Sequence, residues 1–228
     1  MQGTMVTLPD LPQTEIAIVE MTNAFRKDNK LATLRPNAAL AAAARAFADY
    51  LGKSGKFGHE ADGRQPAQRA EAQGYRYCTV AENLALNLDS RGFETKDLAR
   101  KAVEGWKASP GHRANMLRPY VTEIGVAVVR APDRDPKFIS VQLFGRPDSL
   151  KVTFRIENRA GAEVRYKLGE EAASLPPRTI ATYTRCEPDK LIFEKAGPAA
   201  QPHEPREGDR YVVRAGTGGA IAVDVERK

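Results

Sequence analysis

Cysteine is scarce in this chain, with two among 228 residues. Two thiols cannot build a disulfide-dense scaffold, nor supply the four thiolates of a structural zinc ribbon. Histidine is nearly as rare, with three. None of the three stands in an HExxH motif or at i,i+4 spacing from another, so no local metal motif is present. No apolar run approaches the roughly 18 residues that a spanning helix needs. Met1 to Pro12 carry no basic n-region and no apolar h-region of about 7 to 15 residues, so no secretory signal is written here. Either the protein is cytosolic or its leader is missing from the sequence. Blocks of Lys and Arg interleaved with aromatics are also absent, which argues against specific nucleic-acid binding.

What is present suffices for a real core. The chain is 42% hydrophobic and 28% charged, which excludes collagen, coiled coil and wholesale disorder. At about 150 residues per domain the length suits one or two domains. Five of the six excess positive charges lie before Asp148. A basic surface favours polyanions such as nucleic acid, anionic lipid or wall polymers; the plainer alternative is a soluble protein with scattered Lys and Arg.

The front of the chain reads as helices followed by strands. Thr14 can cap a helix carrying Ile18, Met21 and Phe25 at helical spacing. A second helix, from about Asn37 to Leu51, puts Leu40, Ala44, Phe47 and Leu51 on one face. Arg64 to Gln73 is a third, ended by Gly74. Thr95 to Ala108 is a fourth, and Ser109-Pro110 starts a short fifth with serine as N-cap. Glu123 to Val129 and Phe138 to Phe144 are β-branched or aromatic runs joined by a Pro/Asp turn at 131–136, the pattern of a hairpin. After Asp148 the grammar changes to short alternating strands: Val152 to Ile156, Val164 to Leu168, Thr179 to Arg185, Leu191 to Glu194, Tyr211 to Arg214 and Ala220 to Val225. Gly197 to Gly208 reads as a loop. The expected domains are 13–147 and 148–228, the second a small all-β sandwich.

The candidate chemistry is dispersed. His59 lies in Phe57-Gly58-His59-Glu60-Ala61-Asp62-Gly63-Arg64, His112 at a helix start in Ser109-Pro110-Gly111-His112, and His203 in a proline-rich loop. The plain reading of each is a solvated or hydrogen-bonded imidazole. Glu82, in Ala81-Glu82-Asn83-Leu84-Ala85, is a carboxylate in apolar surroundings, and so is Glu123 in Thr122-Glu123-Ile124-Gly125-Val126. A buried charge needs a partner. Histidine is a natural one, because the carboxylate fixes its tautomer and frees the other nitrogen for a metal or proton. The alternative is a capping or strand-edge glutamate in water.

These segments, in this order, resemble the CAP superfamily of cysteine-rich secretory, antigen 5 and pathogenesis-related proteins, or SCP domains, in its bacterial secreted branch. The likeness runs from about Glu15 to Gly145. It is carried by Phe57-Gly58-His59…Asp62-Gly63-Arg64, Arg69…Gly74-Tyr75, Ala81-Glu82-Asn83-Leu84-Ala85, Trp106…Ser109-Pro110-Gly111-His112-Arg113-Ala114-Asn115-Met116-Leu117, Thr122-Glu123-Ile124-Gly125-Val126 and Gln142-Leu143-Phe144-Gly145. The resemblance implies an α+β fold, a three-layer α-β-α sandwich, and a central cleft built from His59, Glu82, His112 and Glu123. In such a cleft His59 and His112 hold a divalent cation, often zinc, with Asn83, Ser109 and Asn115 around it. The many disulfides and cysteine-rich tail of eukaryotic members are missing, so functions tied to those tails do not transfer.

Three functions follow as expectations. The first is a secreted or periplasmic binding module whose cleft holds a metal and a small or lipidic ligand. The second is a metal-dependent hydrolase or peptidase with Glu82 or Glu123 as general base; two histidines fall short of the usual three zinc ligands. The third is adhesion, through the β unit, to a cell-wall or extracellular polymer, including a polyanionic one. An exported protein with an even cysteine count suggests a Cys78–Cys186 disulfide; two free cysteines in separate cores are the alternative. The sequence does not speak to oligomeric state.

Overall fold

A computed structural model describes residues 6–187, 189–197 and 201–227. The chain divides into two compact units, 1–148 and 149–228. The first begins with α1 (Leu11–Asp28), capped by the Asp10 carboxylate, which accepts from the Gln13 amide at 3.0 Å. The sequence places that cap at Thr14. Thr14 instead lies within the first turn, its hydroxyl donating to the Asp10 carbonyl at 2.7 Å. Pro12 explains the earlier start, since its missing N–H falls where a helix has no use for one. In α2 (Ala38–Ser54), Asn37 caps the amides of Ala39 and Leu40, and Gly55 ends the helix in the left-handed region. Its Leu40, Ala44, Phe47 and Leu51 are buried. Three shorter helices follow: α3 (Pro66–Ala72), α4 (Thr95–Ala108) and α5 (Pro110–Met116). Ser109 stands at the N-cap position of α5 but makes no capping hydrogen bond with its side chain.

Four strands, β1 (Arg35–Pro36), β2 (Tyr77–Leu88), β3 (Glu123–Arg130) and β4 (Lys137–Pro147), form a sheet in the order β1-β3-β4-β2. β3 and β4 make the expected antiparallel pair, and β2 runs antiparallel along the other side of β4. β2 was not foreseen as a strand. Its middle, Ala81 to Leu84, is buried residue after residue, and a strand covered on both faces carries no period-two alternation.

One face of the sheet, with Leu84, Ala127, Val141 and Leu143, packs on α2. The other, with Ala81, Ile124, Val126 and Phe144, packs on α1 and α4. The unit is thus a three-layer α-β-α sandwich. The contact of α2 with the sheet is very close at Gly125. A Cβ there would lie 2.3 Å from Ala41 N and 2.3 Å from Leu40 C, so only hydrogen fits.

Side chains also take up backbone groups along the open edges of the sheet, on β2 and on β3 beyond its two-residue pairing with β1, which a bare edge would leave unpaired. On β2, the Trp106 indole donates to the Leu84 carbonyl at 2.9 Å, and Asn115 donates to the Glu82 carbonyl at 3.1 Å. On β3, Glu15 accepts from the Val128 amide at 2.8 Å, Arg45 donates to the Val128 carbonyl at 2.6 Å, and the two side chains pair with each other. Among the described residues no helix is long and apolar enough to cross a membrane.

The second unit is all β. Its strands are β5 (Val152–Arg159), β6 (Val164–Leu168), β7 (Glu171–Leu175), β8 (Ile180–Arg185), β9 (Leu191–Phe193), β10 (Arg210–Ala215) and β11 (Ile221–Glu226). They form sheets ordered β11-β10-β5-β8 and β7-β6-β9 around a core that includes Phe154, Ile156, Tyr166, Phe193, Tyr211 and Val213. Only β7 escaped the sequence reading, because Glu, Ala and Ser are poor strand formers. Of the expected loop at 197–208, residues 198–200 lie outside the described ones. His203 is no solvated loop residue: its ring packs edge-on against Phe193 and Tyr211, with centroids 5.9 and 5.2 Å away. Neither cysteine is a free thiol, since Cys78 and Cys186 are both disulfide-bonded.

Candidate functional site

Glu82 anchors the site. Alternation along β2 turns Val80, Glu82 and Leu84 to the α2 face, while Ala81 and Ala85 turn to the other. The Glu82 carboxylate is almost wholly buried, its side chain 1% exposed. One oxygen meets His59 Nδ1 at 2.8 Å and the other accepts from Arg69 Nη2 at 2.8 Å. Burial pushes the Glu82 pKa up, against opposing pulls from Arg69 and His59.

Arg69 spends every terminal N–H. Nη1 donates to Asp62 Oδ1 at 2.8 Å and to the Arg64 carbonyl at 2.7 Å, and Nη2 to the His59 carbonyl at 2.9 Å as well as to Glu82. Its guanidinium lies 3.5 Å from the Phe47 ring centroid, a cation–π stack. The loop that carries His59 is therefore pinned from below. With an ionised carboxylate as acceptor, His59 Nδ1 is the donor, and in the neutral ring that tautomer leaves the Nε2 lone pair free.

His112 approaches from α5. Its ring centroid lies 6.4 Å from that of His59, the planes tilted by 56°. Burial, and secondarily the charge of His59, push the His112 pKa down, favouring the neutral ring.

A buried polar chain fixes the backbone of α5. Asn83 Nδ2 donates to the His112 carbonyl and to Gln142 Oε1, each at 3.1 Å, and Asn115 donates to Asn83 Oδ1 at 3.0 Å. Gln142 in turn donates to the Thr22 hydroxyl at 2.9 Å. Asn83, Gln142 and Thr22 are fully buried. At the far end of α5, buried Arg26 donates to the carbonyls of Met116 and Arg118 at 2.8 and 2.9 Å. A cation is well placed there, because the carbonyl end of a helix is its negative pole.

His59, Glu82 and His112 thus come together, with Asn83 and Asn115 behind them. Glu123 stands apart. It shares the α2 face with Glu82 but lies across β4, opposite Gly145 where Glu82 is opposite Leu143. Its carboxylate accepts from the Tyr75 hydroxyl at 2.7 Å and lies 3.9 Å from Arg35. Among the described residues no hydrogen bond or ion pair joins Glu123 to either imidazole. Gly145 makes the Tyr75 contact possible, since a Cβ there would lie 2.4 Å from the phenol oxygen. Among the described residues, Ser109 makes no side-chain hydrogen bond to this cluster.

Sequence reasoning gave no role to Arg69 or Tyr75. The usable signal was the rule applied to Glu82: a carboxylate in apolar surroundings calls for a cation, and Arg69 lies beside the buried Ala70 of a short helix.

Among the described residues, no three or more His, Cys, Asp or Glu side chains gather to hold a metal ion. The cleft offers two imidazoles. Two rings that each place a nitrogen about 2.0 Å from one tetrahedral ion have centroids roughly 5 Å apart. The observed 6.4 Å is about 1 Å wider, so an ion shared by both nitrogens would draw the rings together.

An uncharacterized protein of Bacillus subtilis (strain 168), YkwD, is 32% identical over 118 residues, which cover 51% of this chain and 43% of that one. The chain therefore spans less than half the length of this relative. Among solved structures, an outer surface protein from Borrelia burgdorferi is 22% identical with a TM-score of 0.50, covering 60% of this chain and 94% of that one. An extracellular protein containing an SCP domain from Bacillus anthracis str. Ames is 22% identical with a TM-score of 0.49, covering 60% of this chain and 41% of that one. At that identity the Borrelia protein is a likeness of fold. The profile described as the cysteine-rich secretory protein family, CAP, matches residues 19–144, more than half of the chain, and the chain belongs to that family.

Proposed function

We propose that this chain is an extracytoplasmic CAP-domain binding protein whose His59 and His112 hold a divalent cation. The observation that carries this reading is the convergence of the two rings, with Glu82 fixing the His59 tautomer so that Nε2 is free. Imidazole nitrogens are intermediate donors that suit zinc, with water completing the shell. A cation held there would act as a Lewis acid toward an anionic or carbonyl oxygen of a ligand. Two protein ligands make a loose, exchangeable site rather than a closed structural one. The bonded cysteines support an oxidising compartment, because disulfides persist in secreted and periplasmic settings.

Hydrolysis is the weaker reading. Both Glu82 oxygens are engaged and Glu123 is held by Tyr75, so neither carboxylate stands free as a general base. For a lipidic ligand the chain offers an apolar groove of about 680 Å³ lined by Ile16, Val19, Ala41 and Val126.

Titration calorimetry of the full chain with zinc chloride tests the cation site. His112→Ala should weaken binding at least tenfold, and His203→Ala should leave it unchanged. Equal effects of the two substitutions would place the cation elsewhere.

A further inference from the structure

Alternate residues of an antiparallel strand turn both their N–H and their C=O to the same side. On β3 the residues that turn them away from β4 include Ile124, Val126 and Val128, and the middle one is unpaired. Ile124 pairs with β1, and its carbonyl accepts from the Asn37 amide at 2.9 Å. Val128 is met by side chains, its N–H by Glu15 and its C=O by Arg45. Among the described residues, the N–H and C=O of Val126 on that edge have no hydrogen-bond partner. Yet Val126 is buried, 6% exposed, and buried backbone groups are almost always paired. β1 cannot supply the partner. It leaves the edge after Pro36, and the Asn37 carbonyl is taken by the Ala41 amide at 2.9 Å inside α2.

Val126 belongs to the floor of a groove of about 680 Å³ between α1 and α2, a size within the range of small-ligand sites. Ile16 and Val19 of α1 form one wall, Ala38 and Ala41 of α2 the other. Ile16 is 50% exposed, an apolar side chain with nothing over it. The alanines leave room above the strand edge. From Ile124 to Val128 that edge runs about 13 Å, the length of roughly four extended residues. At the rim, Glu20 is exposed and, among the described residues, makes no ion pair.

An acyl chain would cover these walls but leave Val126 unpaired. An extended peptide does both. It offers a C=O to the Val126 N–H and an N–H to the Val126 C=O, while its successive side chains turn alternately toward α1 and α2. A positive charge on the peptide would meet Glu20. We propose that this groove binds a short, extended, apolar peptide carrying a basic group, which adds to the sheet as a strand on the free edge of β3 at Val126. The peptide takes the place in the sheet that β1 vacates. The inference is independent of the imidazole pair.

The test uses the isotopically labelled full chain and a pool of pentapeptides with lysine at the amino end and valine, leucine or threonine elsewhere. The pool is titrated into the millimolar range by two-dimensional amide NMR. Amides within 124–128 should shift, the Val126 proton moving downfield as it gains an acceptor. N-methylating the peptide amides removes their donors and keeps the side chains, and should weaken binding tenfold or more. Ile16→Ala should weaken it severalfold, and at an exposed position this variant should fold normally. Glu20→Gln should weaken the lysine pool and leave a pool with alanine in place of lysine unchanged. His112→Ala should leave peptide binding as it is. No shift within 124–128 would overturn the proposal, as would an N-methylated pool that binds as well as the unmodified one. Sodium laurate shifting these amides where no peptide does would also overturn it, and would make the groove a site for acyl chains.

Discussion

Arg69 and Glu82 are a buried pair, with side chains 5% and 1% exposed, and burial decides what substitution does there. Removing one member of such a pair leaves the other charged and dry, which costs roughly 3 to 5 kcal/mol. Arg69→Met should therefore destabilise the first unit by about that amount in urea unfolding followed by fluorescence. Adding Glu82→Gln should recover part of the loss, because the stranded carboxylate is gone. If single and double variants are equally unstable, the pair matters through the other bonds of Arg69, to Asp62, Arg64 and His59. Half of this pair was legible in the sequence: Glu82 sits among apolar neighbours, and that pattern alone predicts burial. The pairing was not legible, because Arg69 stands in the motif that carries the family likeness but its contact with Glu82 is set by proximity in space. Tyr75 was hidden for a related reason, since its reach to Glu123 depends on the missing side chain at Gly145.

Among the elements, α2 and β3 illustrate how closely layers can approach where a glycine allows it. Gly125→Ala would drive a methyl into the backbone of Leu40 and Ala41, and helix backbone cannot move aside as a side-chain tip can. The expected cost is about 1 to 3 kcal/mol or more, read as a lower melting temperature in calorimetry. Gly105→Ala provides the contrast. It lies inside α4 with nothing within 4 Å of the added Cβ, so it should stabilise by about 0.5 to 1 kcal/mol through helix propensity. Similar effects at the two glycines would mean that the packing at Gly125 is looser than it looks.

Helices were the most legible elements, because the spacing of Leu40, Ala44, Phe47 and Leu51 follows the helical period. Strands exposed on one face, such as β5 and β6, were legible by alternation. β2 was not, for the reason that makes it useful: buried on both faces, it presents Glu82 to one layer and Asn83 to the other. That division puts His59 and His112 on different supports, the His59 loop pinned through Arg69 and α5 held through Asn83.

Over the whole molecule, the all-β character of the C-terminal region was legible because after Asp148 the sequence alternates in short runs with no helical period. Cleft assembly was less accessible to the sequence. Spacing says nothing of which residues a sheet sets on the same side of β4, and Glu123 comes to lie beyond it from Glu82. Charge is a property of the entire chain, and it supplies the last prediction. The net charge is +6, with five of the six excess charges before Asp148, and Lys30, Lys53, Lys56, Lys96 and Arg100 are exposed. Such a field attracts any polyanion, but without a built pocket the attraction is long-range, and salt screens it over about 10 Å at 0.1 M. Binding of the full chain to a fluorescent polyphosphate, followed by anisotropy, should weaken at least tenfold between about 0.05 and 0.3 M sodium chloride. The zinc binding proposed for the imidazoles should change far less over the same range, because coordination acts at about 2 Å, well inside any screening length. Polyphosphate binding that survives the higher salt would mean a dedicated anion site rather than a diffuse field, and the basic excess would then have a specific partner.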